Sequence, residues 1–596
     1  MQFDCKKHGK RKKRKRRKKK EKMKDLIKYL KPYFSRMGVG FTIKVTGTVI
    51  ELALPYILSY ILKSVVYKED IKLIILWGGV MIACAAAALI CNITANRMAA
   101  LVARNFSEKV RHELFEATLH LSAAQRDRFT IPSLESRITT DTYNVHQFVG
   151  MMQRLGVRAP ILLVGGIVIT LIMDSYLALA MLAILPFIFV TVYFISRKGV
   201  PLYIKVQQAV DGMIRVVRED AGGIRVIKAL SKTEYEHKRY DTVNSGLSRA
   251  ERKAGITMGA VNPIMTLLMN MGIVAVVAIS ASRVANHTSD AETVIAFMQY
   301  FTLISMAMMS VTRIFIMYTK CEASAKRISE VINTESDLKV ESEEDYPSHD
   351  DKDFIVFDNV DFSYNGTQND LTNIGFSVKK GGSLGIIGPT GSGKSTVIKL
   401  LLRFYDINSG SIRIGGRDIR TIPKEELYKM FGTAMQNDFL YSDTVEENIK
   451  FGRELSEDRV KNAAKIAQAD GFISELENGY NHMLSQKGTN ISGGQKQRIL
   501  ISRALAAEPE ILILDDSSSA LDYKTDASLR KALKESCNNM TVITVAQRVS
   551  SVKDCDLILV LEEGKIIGMG DHDSLISSCP EYKEISDSQM GGAFLE

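Results

Sequence analysis

The run Gly388-Pro389-Thr390-Gly391-Ser392-Gly393-Lys394-Ser395-Thr396 has residue types and spacing suited to holding phosphate. Glycines let backbone N–H groups approach phosphate oxygens, and a following helix adds the positive potential of its N-terminus. Lys394 would reach the terminal phosphates of a nucleotide, and the Ser395 hydroxyl would ligate Mg²⁺. A second chemical position is Asp515, which closes the apolar run Ile511-Leu512-Ile513-Leu514. A carboxylate there can hold Mg²⁺ through water.

These side chains need strands that end at one edge of a sheet. Ser383-Leu384-Gly385-Ile386-Ile387 reads as a buried strand before the glycine-rich loop, and an apolar-periodic helix follows it. Residues 511–514 are apolar without alternation, as in a parallel strand buried on both faces. Residues 353–590 therefore read as an α/β domain of the P-loop NTPase kind. Residues 333–352 are acidic and polar, and read as a linker.

The first half of the 596-residue chain is of another class. Apolar segments near 39–63, 71–96, 157–173, 176–196, 257–283 and 293–318 reach or approach the ~20 residues that cross ~30 Å of hydrocarbon as a helix. Residues 24–332 thus read as an α-helical six-span transmembrane domain. The third and fourth spans are separated by Asp174 and Ser175 alone, which predicts a tight helical hairpin. The long connections at 97–143 and 197–253 hold seven and thirteen Lys or Arg, while the short ones near 67–70, 174–175 and 284–292 are acidic. The positive-inside rule then puts the long connections, both termini and the α/β domain in the cytoplasm. At ~1.5 Å per residue the long connections would carry the helices ~35 Å past the bilayer.

Charge within the spans falls on Lys44, Glu51, Arg154, Arg158 and Arg313. Two readings fit: a polar path facing the bundle interior, or snorkelling and internal ion pairing. Met265, Met269, Met298, Met306, Met308 and Met309 suit either an adaptable apolar pocket or, more simply, helix packing. The formal net charge of +11 comes from the tail at 1–23 and its continuation to Lys24, since Lys6–Lys24 holds fifteen basic residues and one acid. Such a run binds anionic headgroups, or is solvated without a role, or precedes a physiological start at Met23. It is a tail and not a groove, so no nucleic-acid partner is expected. The seven cysteines form no CxxC pair and no zinc spacing, and fit free thiols in a reducing compartment. The first apolar run is too long for a cleavable signal peptide.

The motif Ile491-Ser492-Gly493-Gly494-Gln495, followed by Lys496-Gln497-Arg498, resembles the signature of the ABC transporter family, usually Leu-Ser-Gly-Gly-Gln. The order of motifs is similar too: Tyr364, the phosphate loop, Gln436, the signature, Asp515, then Ser519-Ala520-Leu521-Asp522. Ser133-Leu134-Glu135-Ser136-Arg137 and Gly223-Ile224-Arg225-Val226-Ile227-Lys228 resemble cytoplasmic loops of family exporters with a fused six-span domain. The resemblance runs from about Lys24 onward. It implies ATP and Mg²⁺ as cofactors. Tyr364 would stack on adenine, Gly388, Thr390, Gly391, Ser392, Gly393, Lys394, Ser395 and Thr396 would hold phosphates, and Ser395, Gln436 and Asp515 would surround Mg²⁺. Ser492, Gly493, Gly494 and Gln495 would act on the nucleotide of a second subunit, with Asp522 in the loop at the dimer contact. Helices near 130–136 and 211–222 would transmit motion to the membrane domain.

Two residues depart from that pattern. Where the family usually has Glu, the base for attacking water, this chain has Asp516, one methylene shorter and pulled back by ~1.5 Å. A misplacement of ~1 Å can cost ~100-fold in rate. Where the family usually has His, this chain has Gln547, which can bond phosphate but has no proton to exchange. The expectation is a multi-pass half-transporter of the cell membrane that binds ATP well, hydrolyses it slowly and pairs with a different, more active subunit. It would export an amphipathic drug, lipid or peptide. Alternatives are a homodimeric lipid or drug flippase and an ATP-gated channel or regulator.

Overall fold

The computed structural model describes residues 26–285, 291–346, 348–349, 352–436, 438–517, 519–536 and 539–590. The basic tail at 1–23 lies outside these residues. The chain divides into two units, one of residues 1–119 and 130–334, the other of 120–129 and 335–596.

The first unit is built of helices: α1 (Phe34–Tyr60), α2 (Ile71–Leu119), α4 (Ile131–Ser136), α5 (Thr142–Met173), α6 (Ser175–Ala229), α7 (Thr233–Gly259), α8 (Val261–Ala285) and α9 (Ala291–Ile332). Five stretches among the described residues are long and apolar enough to span a membrane, and the start of α6 at Ser175–Ile188, where the sequence predicts the fourth of six spans, is apolar but shorter. Helices of 49, 55 and 42 residues (α2, α6 and α9) run well past a ~30 Å hydrocarbon layer at ~1.5 Å per residue. The hairpin at Asp174 forms as its sequence requires. Asp174 is extended, and its carboxylate accepts from the backbone N–H groups of Tyr176 (3.0 Å) and Leu177 (3.2 Å), which caps α6.

Two polar knots hold this unit. Glu51 of α1 pairs with Arg158 of α5, so the internal ion-pair reading applies to both. Asp141, fully buried in a π-helical turn at Arg137–Asp141, accepts from Ser324 (2.8 Å) and from Arg327 Nε (2.7 Å) of α9. Asn144 donates to Ser324 and Arg137 donates to the Arg327 carbonyl, which ties the start of α5 to the end of α9.

The second unit carries two sheets. One is antiparallel, in the order β2 (Leu371–Val378), β1 (Ile355–Phe362), β4 (Ser409–Ile414), β5 (Arg417–Asp418). The other has the order β10 (Lys565–Gly570), β9 (Leu557–Glu562), β3 (Ser383–Ile387), β8 (Thr541–Val545), β7 (Ile511–Asp515), β6 (Phe431–Ala434), parallel except at its β10 edge. β7 is buried at every residue, as its unbroken apolar run predicts. Of the stretch 333–352, read as a linker from composition, residues 335–346 and 348–349 belong to this unit and dock on it. Leu338 is buried, the Glu341 N–H donates to the Arg420 carbonyl (2.9 Å), and Arg403 donates to the Lys339 carbonyl (2.6 Å). Composition hides this because the polar residues that suggest a solvated linker also dock: Lys424 donates to Ser336 (3.1 Å), Glu343 pairs with Arg417, and Arg420 lies over the Tyr346 ring.

Removing Arg327 would leave Asp141 buried without its cation, a loss of ~3–5 kcal/mol for such pairs. Arg327→Ala should lower the melting temperature of the detergent-solubilised chain by several degrees, read by tryptophan fluorescence or aggregation onset. Lys326→Ala is the control: it removes only an exposed i,i+4 pair with Glu330 and should leave the melting temperature unchanged.

Candidate functional site

The site is built where β3, β7 and β8 end. β3 delivers the chain into the glycine-rich loop, and α10 (Lys394–Leu401) begins immediately after it. Two glycines here have no substitute. At Gly388 (φ +154°) a Cβ would lie 2.1 Å from the Leu561 carbonyl oxygen, and at Gly393 (φ +103°) it would meet the Leu371 side chain at 2.6 Å.

A cleft of about 270 Å³ is lined by Thr390, Gly391, Gly393, Lys394, Ser395, Thr396, Gln436, Asp515, Asp516 and Gln547, together with Asp370, Val545 and Ala546. Most of the residues expected to surround phosphate and metal therefore converge from segments far apart in sequence. Gly388 and Ser392 shape the loop behind it. Tyr364 stands on the exposed side, where its hydroxyl donates to Thr396 (3.3 Å) and its ring meets Phe362 edge-on.

Several observations bear on whether these residues fit a nucleotide and its metal. The Ser392 hydroxyl is buried without a hydrogen-bond partner. The first backbone N–H groups of α10 have no intrahelical acceptor, by helix geometry. Lys394 turns its ammonium onto the carbonyls of Gly388 (2.8 Å) and Pro389 (2.7 Å), bonds it can exchange for phosphate oxygens. Burial pulls the Lys394 pKa down, and Asp515 and Asp516 partly offset this. Ser395 donates to Asp515 Oδ1 at 3.4 Å, long enough for a small cation to take both oxygens. These features fit a polyphosphate and a hard, oxygen-seeking cation such as Mg²⁺.

Burial raises the Asp515 pKa above the usual carboxylate range, with the Ser395 hydrogen bond opposing the shift and Asp516 reinforcing it. Asp516 sits in a left-handed conformation (φ +51°), pinned by its N–H to the Val545 carbonyl (2.8 Å) and by its own carbonyl, which accepts from the Ser519 hydroxyl (2.8 Å). That backbone aims its short side chain at two amides. Gln436 Nε2 donates to Asp516 Oδ2 at 3.0 Å, and Gln547 Nε2 reaches the same oxygen at 3.5 Å.

The signature residues stand apart and do not line the cleft. Ser492 caps α15 (Gly493–Leu505) in a capping box: its hydroxyl accepts from the Gln495 N–H (3.2 Å), and the Gln495 side chain accepts from the Ser492 N–H (2.9 Å). Gly494 lies against the Ala520 carbonyl, where a Cβ would sit at 3.0 Å. The next turn is closed by Asp522, which accepts from the Thr525 N–H (2.9 Å) and hydroxyl (2.8 Å). Signature and Asp522 turn thus form one ridge of this unit.

Short motifs gave no sign of two further contributors. Asp370 lines the cleft and accepts from the Tyr364 N–H (2.8 Å), fixing the turn that carries the ring. Helix α3 (Ala123–Phe129) comes from the long connection after α2, yet belongs to the second unit. There Gln125 donates to the Glu335 carbonyl (2.7 Å) and Asp127 accepts from the Tyr405 hydroxyl (2.7 Å). Residues 120–129 of that connection thus belong to this unit, whereas residues 130–136 and 211–222, expected to transmit motion, belong to the first.

Comparison with known proteins gives matches along both halves. Residues 37–308 match the ABC transporter transmembrane region model, and residues 371–519 match the ABC transporter model. The ABC transporter ATP-binding protein YfiB of Bacillus subtilis is 34% identical over 571 residues, covering 96% of this chain and 99% of that protein. Rv1273c of Mycobacterium tuberculosis, described in the same words, is 31% identical over 95% of this chain and 97% of its own length. A solved bacterial Atm1-family ABC exporter with ATP bound shares the fold, with a TM-score of 0.79 at 22% identity, covering 93% of this chain and 98% of that one.

The Asp515 pKa is raised, so its neutral acid persists to higher pH than for a free carboxylate, and protons would compete with a cation held there. The Mg²⁺-dependent gain in ATP affinity should shrink as pH falls from neutral to mildly acidic. Titrating a fluorescent ATP analogue with and without Mg²⁺ at several pH values reads this directly. Asp515→Asn should abolish the Mg²⁺ increment at every pH while keeping residual nucleotide binding through Lys394.

Proposed function

The chain belongs to the ABC transporter family, and from that premise we propose that it is one half of a dimeric, ATP-driven exporter whose own site binds ATP but hydrolyses it slowly. Lys394, the loop N–H groups and Thr396 hold the phosphates, with Tyr364 stacked on adenine. Ser395, Asp515 and Gln436 would hold Mg²⁺, whose charge offsets that of the phosphates when it is bound. Ser492, Gly493, Gly494 and Gln495 reach the nucleotide of the second subunit, and Asp522 lies at the contact between subunits. The termini and the ATPase unit face the cytoplasm of a cell-membrane protein.

One observation carries the reading of slow hydrolysis: Asp516 Oδ2 is shared by the amides of Gln436 and Gln547. A carboxylate that is a methylene short, and already accepting two N–H bonds, is poorly placed to orient water at a γ-phosphate. Gln547 can donate to phosphate but cannot relay a proton. Such a site favours a partner subunit with Glu and His at these positions, giving one holding site and one hydrolysing site. Closure of the two ATPase units around nucleotide then favours one membrane conformation, and substrate moves because its affinity differs between conformations.

The isolated chain should bind ATP normally and turn it over slowly. Asp516→Glu with Gln547→His should raise its ATPase rate ~10–100-fold, in line with the cost of misplacing a reacting group by ~1 Å. Robust turnover by the isolated wild-type chain, lost in Asp516→Asn, would overturn the slow-site reading. Co-purification from the native membrane of a second, similar subunit distinguishes the heterodimer from a pair of identical chains.

A further inference from the structure

In the first unit, three cations gather against one carboxylate. Lys44 of α1 is 4% exposed and donates to the side-chain oxygens of Asn92 (2.7 Å) and Asn96 (3.1 Å) of α2. Both partners are neutral. Arg154, Arg158 and Glu51 all act electrostatically on Lys44, and Glu51 is committed to Arg158. Arg154 is exposed, and its Nε donates to the Gly150 carbonyl (3.1 Å). Glu51 is thus the single carboxylate described beside three cations, and it is hydrogen-bonded to Arg158 alone among them. Uncompensated charge in a membrane segment is costly and needs a counter-charge.

A groove of about 720 Å³ runs between α1 and α5, lined by Leu52, Tyr56, Ile161, Gly165, Ile169 and Ile172 among others, and its surface is almost wholly apolar. On α5, positions 154, 158, 161, 165, 169 and 172 follow one another at three- and four-residue steps, so they share one face. The two arginines therefore stand at one end of the stripe that becomes the groove. From Ile161 to Ile172 the helix rises about 16 Å, room for an extended hydrocarbon tail. Gly165 lets α1 close on α5, since a Cβ there would lie 2.6 Å from Leu52 Cδ1.

We propose that this is a binding site for an anionic lipid, with its headgroup at Arg154, Arg158 and Lys44 and one acyl chain in the α1–α5 groove. The proposal rests on the export reading and narrows its substrate to a negatively charged amphiphile drawn from the bilayer. Guanidinium groups suit phosphate or carboxylate through paired hydrogen bonds, and Lys44 adds charge from a fixed position. The neutral Asn92 and Asn96 hold the ammonium in place without cancelling it.

The test uses the assembled transporter in nanodiscs made with equimolar phosphatidylglycerol and phosphatidylcholine of identical chains, with retained lipid measured by native mass spectrometry. Wild type should retain phosphatidylglycerol several-fold over phosphatidylcholine. Arg154→Gln, at an exposed side chain with no carboxylate partner, should bring the ratio near parity, as should Lys44→Met. Ile172→Trp, which fills the groove from an exposed position, should reduce total retained lipid. ATP-analogue binding should be unchanged in all three. Equal retention of both lipids by wild type, or a preference that survives both Arg154→Gln and Ile172→Trp, overturns the site. In proteoliposomes, selective retention without ATP-driven movement of labelled phosphatidylglycerol supports the site and refutes export. ATP-driven movement of both lipids alike refutes the site and leaves export standing.

Discussion

The requirement that a loop present unpaired donors to phosphate, while its neighbours stay fully satisfied, shapes the whole ATPase unit. β3 is clamped between parallel β8 and β9 so that its end is fixed. Gly388 and Gly393 then allow a path that no side chain would tolerate, between the Leu561 carbonyl and the Leu371 side chain. The consequence is a buried Ser392 hydroxyl without a partner and a lysine turned back on its own loop. Both mark a surface complementary to a polyanion, because a buried polar group is normally paired. The antiparallel sheet adds the remaining wall, with Asp370 and Tyr364 carried at the turn between β1 and β2.

The same constraint explains why two adjacent carboxylates differ. Asp515 and Asp516 are adjacent in sequence but face different tasks, because the chain turns into the left-handed region between them. Asp515 stays on the strand axis, buried beside Ser395, where its raised pKa reflects a carboxylate taken out of water in a place suited to a cation. Asp516 is swung out to meet Gln436 and Gln547, which arrive from the ends of β6 and β8. Left-handed backbone is uncommon for a residue with a side chain, though Asp tolerates it better than most. A longer Glu on this backbone would extend past the two amides, whereas Asp stops among them. The substitution changes the hydrogen-bond pattern of the site as well as its reach.

What could be read from the sequence was local or periodic. The phosphate loop, the unbroken burial of β7 and the Asp174 hairpin depend on neighbours within a few residues, and each is visible in the string itself. The Asp516–Gln436–Gln547 contact joins Asp516 to residues 80 and 31 positions away and has no local signature. The docking of 335–346 was hidden for a related reason: its composition is that of a solvated linker, but backbone groups, Leu338 and side chains such as Ser336 and Glu343 do the anchoring. Helix α3 was invisible because membership of a unit is a matter of packing. Its seven residues (Ala123–Phe129) sit in a basic loop that reads as a continuation of the membrane helices.

Helix α3 is joined to the ring of Tyr364 by a chain of contacts inside the second unit. Tyr405 stands edge-on to the Tyr364 ring at 5.0 Å, and its hydroxyl donates to Asp127. Burial and the Asp127 carboxylate both push the Tyr405 pKa up, so the phenol stays a donor across the physiological range. The ring proposed to stack on adenine therefore touches a side chain that is hydrogen-bonded to a segment covalently continuous with α2 on one side and α4 on the other. Any shift of Tyr364 on stacking must be accommodated by Tyr405, because its ring also packs against Phe362 at 5.8 Å. Its hydroxyl bond to Asp127 is the weaker restraint, since Asp127 is exposed, and α3 is also held by the Gln125 bond to the Glu335 carbonyl. A displacement at the base would thus be felt at α3, the part of this unit that the chain enters from α2 and leaves toward α4.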